Sequence, residues 1–208
     1  MEPDRVRRFS MIRDFQIADL VTLLNGFAGT GALLSFMSYL VTRDTGRFWL
    51  GAGLLPVALA MDVLDGRIAR WRHEASTLGQ ELDSLADVVS FGVAPAAMGF
   101  AVGLRGGWDA LCLVYFVACG ISRLARYNAT AGALSDQRGK VTHFEGLPIP
   151  SSLLIAAILA GLAAAGRWND TLPFASWHIG PGDLHPLSLL YVAHGSAMIS
   201  KTLRIPKP

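Results

Sequence analysis

Residues 61–87, MDVLDGRIARWRHEASTLGQELDSLAD, place four aspartates in otherwise apolar surroundings. Asp62 and Asp65 are three residues apart, and Asp83 and Asp87 are four apart, so each pair lies on one face if its segment is helical. The connection between the pairs is short, which makes two such helices antiparallel neighbours. This stretch therefore predicts a helical hairpin on which four carboxylates face one another.

The chain on either side of this hairpin is apolar enough for a membrane protein. Hydrophobic residues make up 52% of it and charged residues 16%, and its mean hydropathy is +0.40. Several stretches approach the roughly 20 residues that a helix needs to cross a bilayer. A closed barrel, the other membrane architecture, would need short alternating strands. We therefore predict an all-α integral membrane protein with six transmembrane helices, at Ile17–Val41, Phe48–Arg70, Gly79–Val102, Trp108–Tyr127, Pro148–Gly166 and Leu184–Ile205.

Basic residues predict how the chain is oriented. Fourteen of the eighteen lie on the side of the N-terminus if six spans are drawn, and four lie on the other side. The positive-inside rule then places both termini and the aspartates on the cytoplasmic side of the cell membrane. Residues 1–16 are expected to form an amphipathic segment on the membrane surface, preceding a membrane domain at 17–208. The net charge of +2 with scattered basic residues gives no reason to expect nucleic acid as a partner.

The four aspartates predict a site for divalent cations. Carboxylates that converge near the inner edge of a bilayer repel one another unless cations neutralise them. Oxygen ligands favour Mg²⁺ or Mn²⁺, with Ca²⁺ as a further candidate, and two such ions can clamp a transferring phosphoryl group. The alternative, aspartates that merely cap helix ends at the interface, fits four residues at helical spacing less well.

Small residues beside the aspartates leave room for a ligand. Gly66 and Ala69 share their part of the helix, and Gly79 begins the facing helix, although helix packing alone also favours small residues there. Arg70 can donate two hydrogen bonds to a phosphate, or can simply anchor the helix at the membrane edge. Pro95, inside the third predicted span, is expected to kink that helix just beyond the aspartates.

The pattern Asp62-x-x-Asp65-Gly66-x-x-Ala69-Arg70, eight residues, then Gly79-x-x-x-Asp83-x-x-x-Asp87, resembles the signature of the CDP-alcohol phosphatidyltransferases at every position. The resemblance implies a six-helix enzyme, often a homodimer, with two divalent ions and a site open to the cytoplasm. It implies that Asp62, Asp65 and Asp83 hold metal. Asp87 would hold the second ion and act as general base. The pocket for the cytidine diphosphate group would be lined by Gly66, Ala69, Arg70 and Gly79.

Further stretches resemble the phosphatidylserine synthase branch of that family. They are ADLVTLLN at 18–25, SLADVVSFGVAPA at 84–96, FEGLPIP at 144–150 and MISKTLRIP at 198–206. This resemblance implies transfer of a phosphatidyl group from CDP-diacylglycerol, or from an archaeal-type CDP-activated ether lipid, to the hydroxyl of L-serine with release of CMP.

Several polar residues in apolar runs are candidates for substrate binding. Arg123 and Arg126 lie three residues apart on one helix face and could hold the serine carboxylate, or could be anchors at the end of a span. Thr22 is a candidate for the CDP-lipid, and Asn25 and Ser90 for serine. Serine and threonine in membrane helices also commonly bond to their own backbone.

Two alternatives to serine transfer remain open. The same chemistry could use glycerol 3-phosphate, inositol phosphate or choline. A phosphorylated acceptor would favour more basic residues, and choline would favour an aromatic or acidic cage. From another class, an ion-coupled carrier also contains intramembrane acids, but no repeated half is visible and the acids lie near one membrane face.

Overall fold

The architecture is a bundle of helices with short irregular connections. This computed structural model describes residues 17–72, 77–134, 143–200 and 204–206. The α-helices in this part of the chain are α1 Ile17–Thr42, α2 Thr45–Arg72, α3 Thr77–Asp87, α4 Ala94–Val102, α5 Gly107–Leu134, α6 Leu153–Ala164 and α7 Leu189–Ile199. A π-helical turn, Val88–Val93, joins α3 and α4. Short 3-10 turns lie at Ile149–Ser152, Asn169–Thr171 and Pro186–Ser188.

Four of these helical segments are long and apolar enough to cross a membrane. They are Ile17–Thr42, Thr45–Trp71, Thr77–Val102 and Gly107–Ala129. The prediction of a mainly helical membrane protein is confirmed at this level, and these segments match the first four predicted spans to within a few residues. The predicted amphipathic segment at 1–16 lies outside the described residues.

The last two apolar helices are shorter than the predicted fifth and sixth spans. They cover Ile149–Ala164 and Pro186–Ile199. At 1.5 Å per residue these lengths correspond to about 24 Å and 21 Å, against roughly 30 Å of hydrocarbon. The last helix begins late because Gly182–Leu184 forms a strand and Pro186 then opens a 3-10 turn. The fifth predicted span, Pro148–Gly166, loses only Pro148 at its start and the two residues after Ala164 at its end.

Two pairs of short antiparallel strands were not predicted. β1 (His143–Glu145) pairs with β4 (Arg204–Pro206), and β2 (Trp177–Ile179) pairs with β3 (Gly182–Leu184). Each strand has three residues, too few to show the alternation by which strands are recognised in a sequence. The expectation of a wholly helical chain therefore needs this correction.

Helix α1 is the element against which the others pack. It lies against α2 and against the continuous helix formed by α3, the π-helical turn and α4. Its buried residues recur every three or four positions, as expected for one helix face: Ala18, Thr22, Asn25, Gly29, Ala32 and Phe36. A Cβ atom at Gly29 would overlap Ser90, so α1 and the π-helical turn cross with almost no space between their backbones.

The π-helical turn ends directly before Pro95. Proline lacks the N–H that would continue the α-helical hydrogen bonds. Here the Ala94 N–H donates to the Val89 carbonyl five residues back, and α4 resumes with Pro95 in its first turn. The Tyr191 hydroxyl of α7 donates to the Pro95 carbonyl over 2.7 Å. The predicted distortion beyond the aspartates therefore takes the form of a π-helical turn.

The end of the bundle away from the aspartates, here called the distal end, contains the connections at 43–44, 103–106 and 165–188. An aromatic cluster fills its interior. The Trp168 ring lies 5.4 Å from that of Tyr39 and 4.7 Å from that of Phe48, measured between centroids. These contacts hold the connection after α6 against the end of α1 and the start of α2.

Candidate functional site

Three of the four aspartates meet between α2 and α3. Asp62 on α2 and Asp83 and Asp87 on α3 each offer a carboxylate oxygen, and these three oxygens lie within 4.8 Å of one another. Asp87 is buried, whereas Asp62 and Asp83 are half-buried. The helical spacing of the sequence places Asp83 and Asp87 on one face of α3, and the packing of α2 brings Asp62 opposite them.

The fourth aspartate, Asp65, faces α1. It is only 5% exposed, and its Oδ2 accepts a hydrogen bond of 2.7 Å from the Thr22 hydroxyl. Asp19, one turn before Thr22 on the same buried face, is close enough to Asp65 for their negative charges to interact. Asp65 therefore lies in the acidic region, but it contacts α1 and does not belong to the group formed by Asp62, Asp83 and Asp87.

Asp87 is also oriented by α1. The Asn25 side-chain amide donates to Asp87 Oδ1 over 3.3 Å, and the Ser90 hydroxyl donates to the Asn25 backbone carbonyl over 3.0 Å. Asn25 and Ser90 are both fully buried. The three residues form a continuous set of contacts between α1 and the helix that carries Asp87.

The carboxylates fit a divalent cation. Asp83 Oδ1 is buried and has no hydrogen-bond partner among the described residues. A buried carboxylate oxygen without a partner is unfavourable unless something else neutralises it. Two neighbouring carboxylates lie within 4.8 Å of this residue, and hard oxygen ligands of this kind suit Mg²⁺ or Mn²⁺.

The helix surface beside the aspartates has room for a ligand. A Cβ atom at Gly66 would meet only the Arg70 guanidinium, at 3.9 Å. The Arg70 side chain therefore folds back along α2 toward Gly66, one turn away, and is otherwise exposed. Ala69 on α2 and Gly79 in the first turn of α3 are half-buried. The four residues that the signature assigns to the nucleotide pocket thus lie at the same end of the bundle as the aspartates.

The two candidate arginines differ in their surroundings. Arg123 on α5 is half-buried, its Nε atom has no hydrogen-bond partner among the described residues, and it is close enough to Asp87 for their charges to interact. Arg126 is exposed. Sequence spacing treats the two as equivalent, but packing brings Arg123 toward the aspartates and leaves Arg126 at the surface.

Asp19 and Asn128 also belong to the site, although neither was predicted as a site residue. Asn128 on α5 accepts from Gln80 over 3.3 Å and donates to Ser84 over 3.0 Å, so it fixes α5 against the face of α3 that carries Asp83. Both residues could have been found as polar residues at the ends of apolar runs. Their partners lie in other helices, and the sequence pattern does not identify them.

The comparison with protein families decides what kind of protein this is. The family model of the CDP-alcohol phosphatidyltransferases matches residues 15–182, which include all the elements of the site described above. This chain belongs to the CDP-alcohol phosphatidyltransferase family. As a member of that family it is a membrane-embedded transferase of phospholipid biosynthesis.

Within the CDP-alcohol phosphatidyltransferases, the chain is similar to proteins named for serine. It is 42% identical over 203 residues to the CDP-diacylglycerol–serine O-phosphatidyltransferase of Saccharomyces cerevisiae, covering 96% of this chain and 74% of the relative. It is 32% identical to the Helicobacter pylori protein of the same name, over 88% of this chain and 70% of the relative. It is 34% identical to the archaetidylserine synthase of Methanothermobacter thermautotrophicus, over 72% of this chain and 62% of the relative.

Proposed function

We propose that this chain transfers a phosphatidyl group from CDP-diacylglycerol, or from a CDP-activated ether lipid, to the hydroxyl of L-serine and releases CMP. The observation that carries the proposal is the convergence of Asp62, Asp83 and Asp87 beside the open surface of Gly66. The names of the similar proteins support serine as the acceptor. The archaetidylserine synthase among them keeps the ether lipid as a second candidate donor.

Asp62, Asp83 and Asp87 would hold divalent metal, with Asp65 completing the set as the family signature implies. When bound, Mg²⁺ or Mn²⁺ supplies positive charge that stabilises the pyrophosphate and the departing CMP. Thr22 holds Asp65 through its hydroxyl, which limits the rotation of that carboxylate. Thr22 thus supports the binding of the CDP-lipid indirectly, whether or not it also touches the nucleotide.

We assign the role of general base to Asp87. Its Oδ1 is occupied by the Asn25 amide, so Oδ2 is the oxygen left to take a proton. The serine hydroxyl oxygen attacks the phosphorus that bears the lipid, and Asp87 Oδ2 takes the hydroxyl proton. The bond between that phosphorus and the oxygen of CMP breaks, and CMP leaves with the electron pair. Asn25 and Ser90 then act by orienting Asp87, in addition to any contact with serine.

Gly66, Ala69, Arg70 and Gly79 would receive the cytidine diphosphate group. A larger side chain at Gly66 would occupy the space that lies free above α2. The Arg70 guanidinium already points along this surface, and its planar group of donors suits a phosphate. These residues bind and orient the donor, whereas the aspartates act on the reacting phosphate.

Arg123 is the stronger candidate for the serine carboxylate. It is half-buried, near Asp87, and its Nε hydrogen is left without a partner by the described residues. A guanidinium can donate two parallel hydrogen bonds to a carboxylate, and binding serine there would place its hydroxyl near the general base. Arg126, exposed one turn further along α5, contributes positive charge at the surface of this end of the bundle.

The proposal extends to the arrangement in the membrane. All six apolar helices would cross or enter the bilayer, with both termini and the aspartates on the cytoplasmic side of the cell membrane, as the basic residues indicate. The two shorter helices reach the interfaces through their flanking 3-10 turns and strands. A homodimer is expected from the family, and cross-linking in native membranes would test it.

The direct test is separation of the labelled product by thin-layer chromatography. Membranes containing the protein are offered CDP-diacylglycerol together with serine, glycerol 3-phosphate, inositol phosphate or choline, each in turn. Serine should give phosphatidylserine at the highest rate. A higher rate with another alcohol would reject serine but keep the enzyme class, and no CMP release with any alcohol would reject both.

A further inference from the structure

The hairpin of β2 and β3 at the distal end has one apolar and one polar face. Side chains alternate along a strand, so Trp177 and Ile179 lie on one face, and they are 54% and 45% exposed. His178 lies on the other, where its Nδ1 is 2.8 Å from Asp183 Oδ1 of the paired strand. The hairpin therefore exposes large apolar side chains on one side and a hydrogen-bonded histidine and aspartate on the other.

This hairpin is fixed to the first turn of α5. The Trp108 indole N–H donates to the Ile179 carbonyl over 2.8 Å. A Cβ atom at Gly106 would overlap the Asp183 carbonyl, so the two backbones are in direct contact. Since α5 is a membrane-spanning segment that begins at Gly107, the hairpin must lie at the height where that segment leaves the hydrocarbon.

Asp109 strengthens this attachment. Its fully buried carboxylate accepts from the backbone N–H of Gly106 over 2.9 Å and from that of His185 over 2.8 Å. A third contact joins Asp109 Oδ2 to His185 Nδ1 over 2.6 Å. One side chain of α5 thus holds both the residues before the helix and the residue after β3. The hairpin cannot move away from the membrane without breaking all three contacts.

The apolar face continues the lipid-facing surface of α5. Trp108, Leu111 and Tyr115 follow at the spacing of one helix face, and all are exposed, Leu111 by 57%. On a membrane-spanning helix such a face lies against lipid. The hydrogen bond from Trp108 to Ile179 joins this face to the hairpin, so the exposed apolar residues of the span and of β2 are neighbours.

Phe174 adds a further exposed aromatic ring. It is 70% exposed and has a φ of +67°, a conformation that residues with bulky side chains rarely adopt. Phe174 lies three residues before β2, which begins at Trp177. An aromatic side chain kept exposed at the end of a membrane span is best explained by contact with lipid.

We propose that the distal patch, formed by Trp108, Phe174, Trp177 and Ile179, inserts into the interfacial region of the bilayer leaflet opposite the aspartates. Tryptophan is enriched in this region because its ring is apolar and its N–H is polar. The face with His178 and Asp183 stays in water. Insertion anchors the start of α5, the helix that carries Arg123 and Asn128 at its other end.

Spin labelling tests the orientation of the hairpin. Single cysteines replace Trp177, Ile179, His178 or Asp183 in a Cys112→Ala/Cys119→Ala background, and each protein is labelled and placed in vesicles of phosphatidylcholine and phosphatidylglycerol. Collision with oxygen, which concentrates in lipid, is compared with collision with a water-soluble nickel chelate. Labels at Trp177 and Ile179 should favour oxygen, and the matched labels at His178 and Asp183 should favour nickel.

Two outcomes would overturn the proposal. Nickel access at all four positions would place the hairpin in water, and low access to both reagents at 177 and 179 would indicate a protein partner or second copy. A milder variant covers the case in which the cysteine proteins do not fold. The fluorescence of Trp177 is obtained as the difference in emission between the wild type and Trp177→Phe. Brominated phosphatidylcholine in the vesicles should quench this fluorescence, and iodide in the water should not. Quenching by iodide and not by the brominated lipid would equally reject insertion.

Discussion

At the residue scale, the aspartates of the site are distinguished by what each one contacts. Asp87 accepts from Asn25 and Asp65 from Thr22, both on α1. Asp83 Oδ1 has no hydrogen-bond partner among the residues that the structure describes. The same side chain therefore has a different environment at each position, and our proposal assigns proton transfer to Asp87, which accepts from Asn25, and cation binding to Asp83.

Replacing Asp87 by Asn should separate proton transfer from binding. The introduced amide keeps an oxygen that can accept from Asn25, but it cannot take the serine proton. The single-turnover rate should fall by about 10²–10⁴, the usual contribution of a general base, while affinity for the CDP-lipid falls much less. The measurement is rate and affinity at saturating metal, with Asp62→Asn as the control.

Asp62→Asn should instead weaken binding of the CDP-lipid and raise the metal concentration needed for activity. If Asp87→Asn turned over at nearly the wild-type rate, another group would have to be the base. If both variants lost binding and rate in the same proportion, Asp87 would be a metal ligand alone.

Replacing Arg123 by Lys should impair the use of serine. Lysine keeps the charge but loses the planar pair of donors, so the KM for serine should rise roughly tenfold with little change in the KM for the CDP-lipid. Arg126→Lys is the matched control, since it makes the same change at an exposed position one turn away. Equal effects of the two variants on serine KM would contradict the assignment to Arg123.

At the scale of elements, α1 acts as the support for the helix that carries Asp83 and Asp87. Its buried face places Thr22 and Asn25 against the aspartates and Gly29 against the π-helical turn. The π-helical turn precedes Pro95 and contains Ser90, whose hydroxyl donates to the Asn25 carbonyl of α1. The geometry of the site thus depends on one close helix crossing.

Gly29→Ala should loosen this crossing. The added methyl group would overlap Ser90, and overpacking of this kind typically lowers the free energy of unfolding by about 1–3 kcal/mol. The melting temperature in detergent should fall, and turnover should fall with it, because Asn25 lies one turn away. A thermal-shift assay of the purified protein measures the melting temperature.

Gly53→Ala is the matched control for this prediction. Gly53 lies in α2, and an added Cβ there would have nothing within 4 Å. Alanine favours a helix more than glycine does, so this variant should be as stable as the wild type or slightly more so. Equal melting temperatures for Gly29→Ala and Gly53→Ala would mean that the two helices accommodate the added methyl group without loss of stability.

At the scale of the whole molecule, the acidic region sets a condition on the stability of the bundle. Asp62, Asp83 and Asp87 come from two helices, and their negative charges oppose the packing that brings them together. A bound cation would reverse this effect, because a ligand that binds only the folded state stabilises it.

Removal of divalent metal should therefore lower both activity and stability. A chelator should abolish product formation, and Mg²⁺ or Mn²⁺ should restore it and raise the melting temperature. Asp83→Asn should reduce this increase, since the variant loses a carboxylate whose Oδ1 has no hydrogen-bond partner in the described part of the chain. Sodium chloride at the same ionic strength is the control, because it screens the repulsion between the carboxylates without binding as a divalent cation would. Full turnover in chelator, with metal absence established by elemental analysis, would reject the metal site.

Part of the fold and site follows from the sequence through local rules. The length of the apolar runs predicts the four helices of span length, and the spacing of Asp62 and Asp65 and of Asp83 and Asp87 places each pair on a helix face. The signature that these residues form was enough to indicate the family. These features depend on residues within a turn or a span of one another, for which helix geometry gives the answer.

The tertiary structure decided which of these residues meet. Thr22 and Asp65 are 43 positions apart in the chain, and Asn25 and Asp87 are 62 apart. These contacts join α1 to α2 and to α3, and Gly29 meets Ser90 one turn beyond Asn25; no local pattern encodes such packing between helices. The same holds for Arg123 and Arg126, equivalent by spacing yet different in burial, and for the hairpin that Asp109 fixes to α5. Helix periodicity determines the face on which a side chain lies, whereas packing between helices determines its partner.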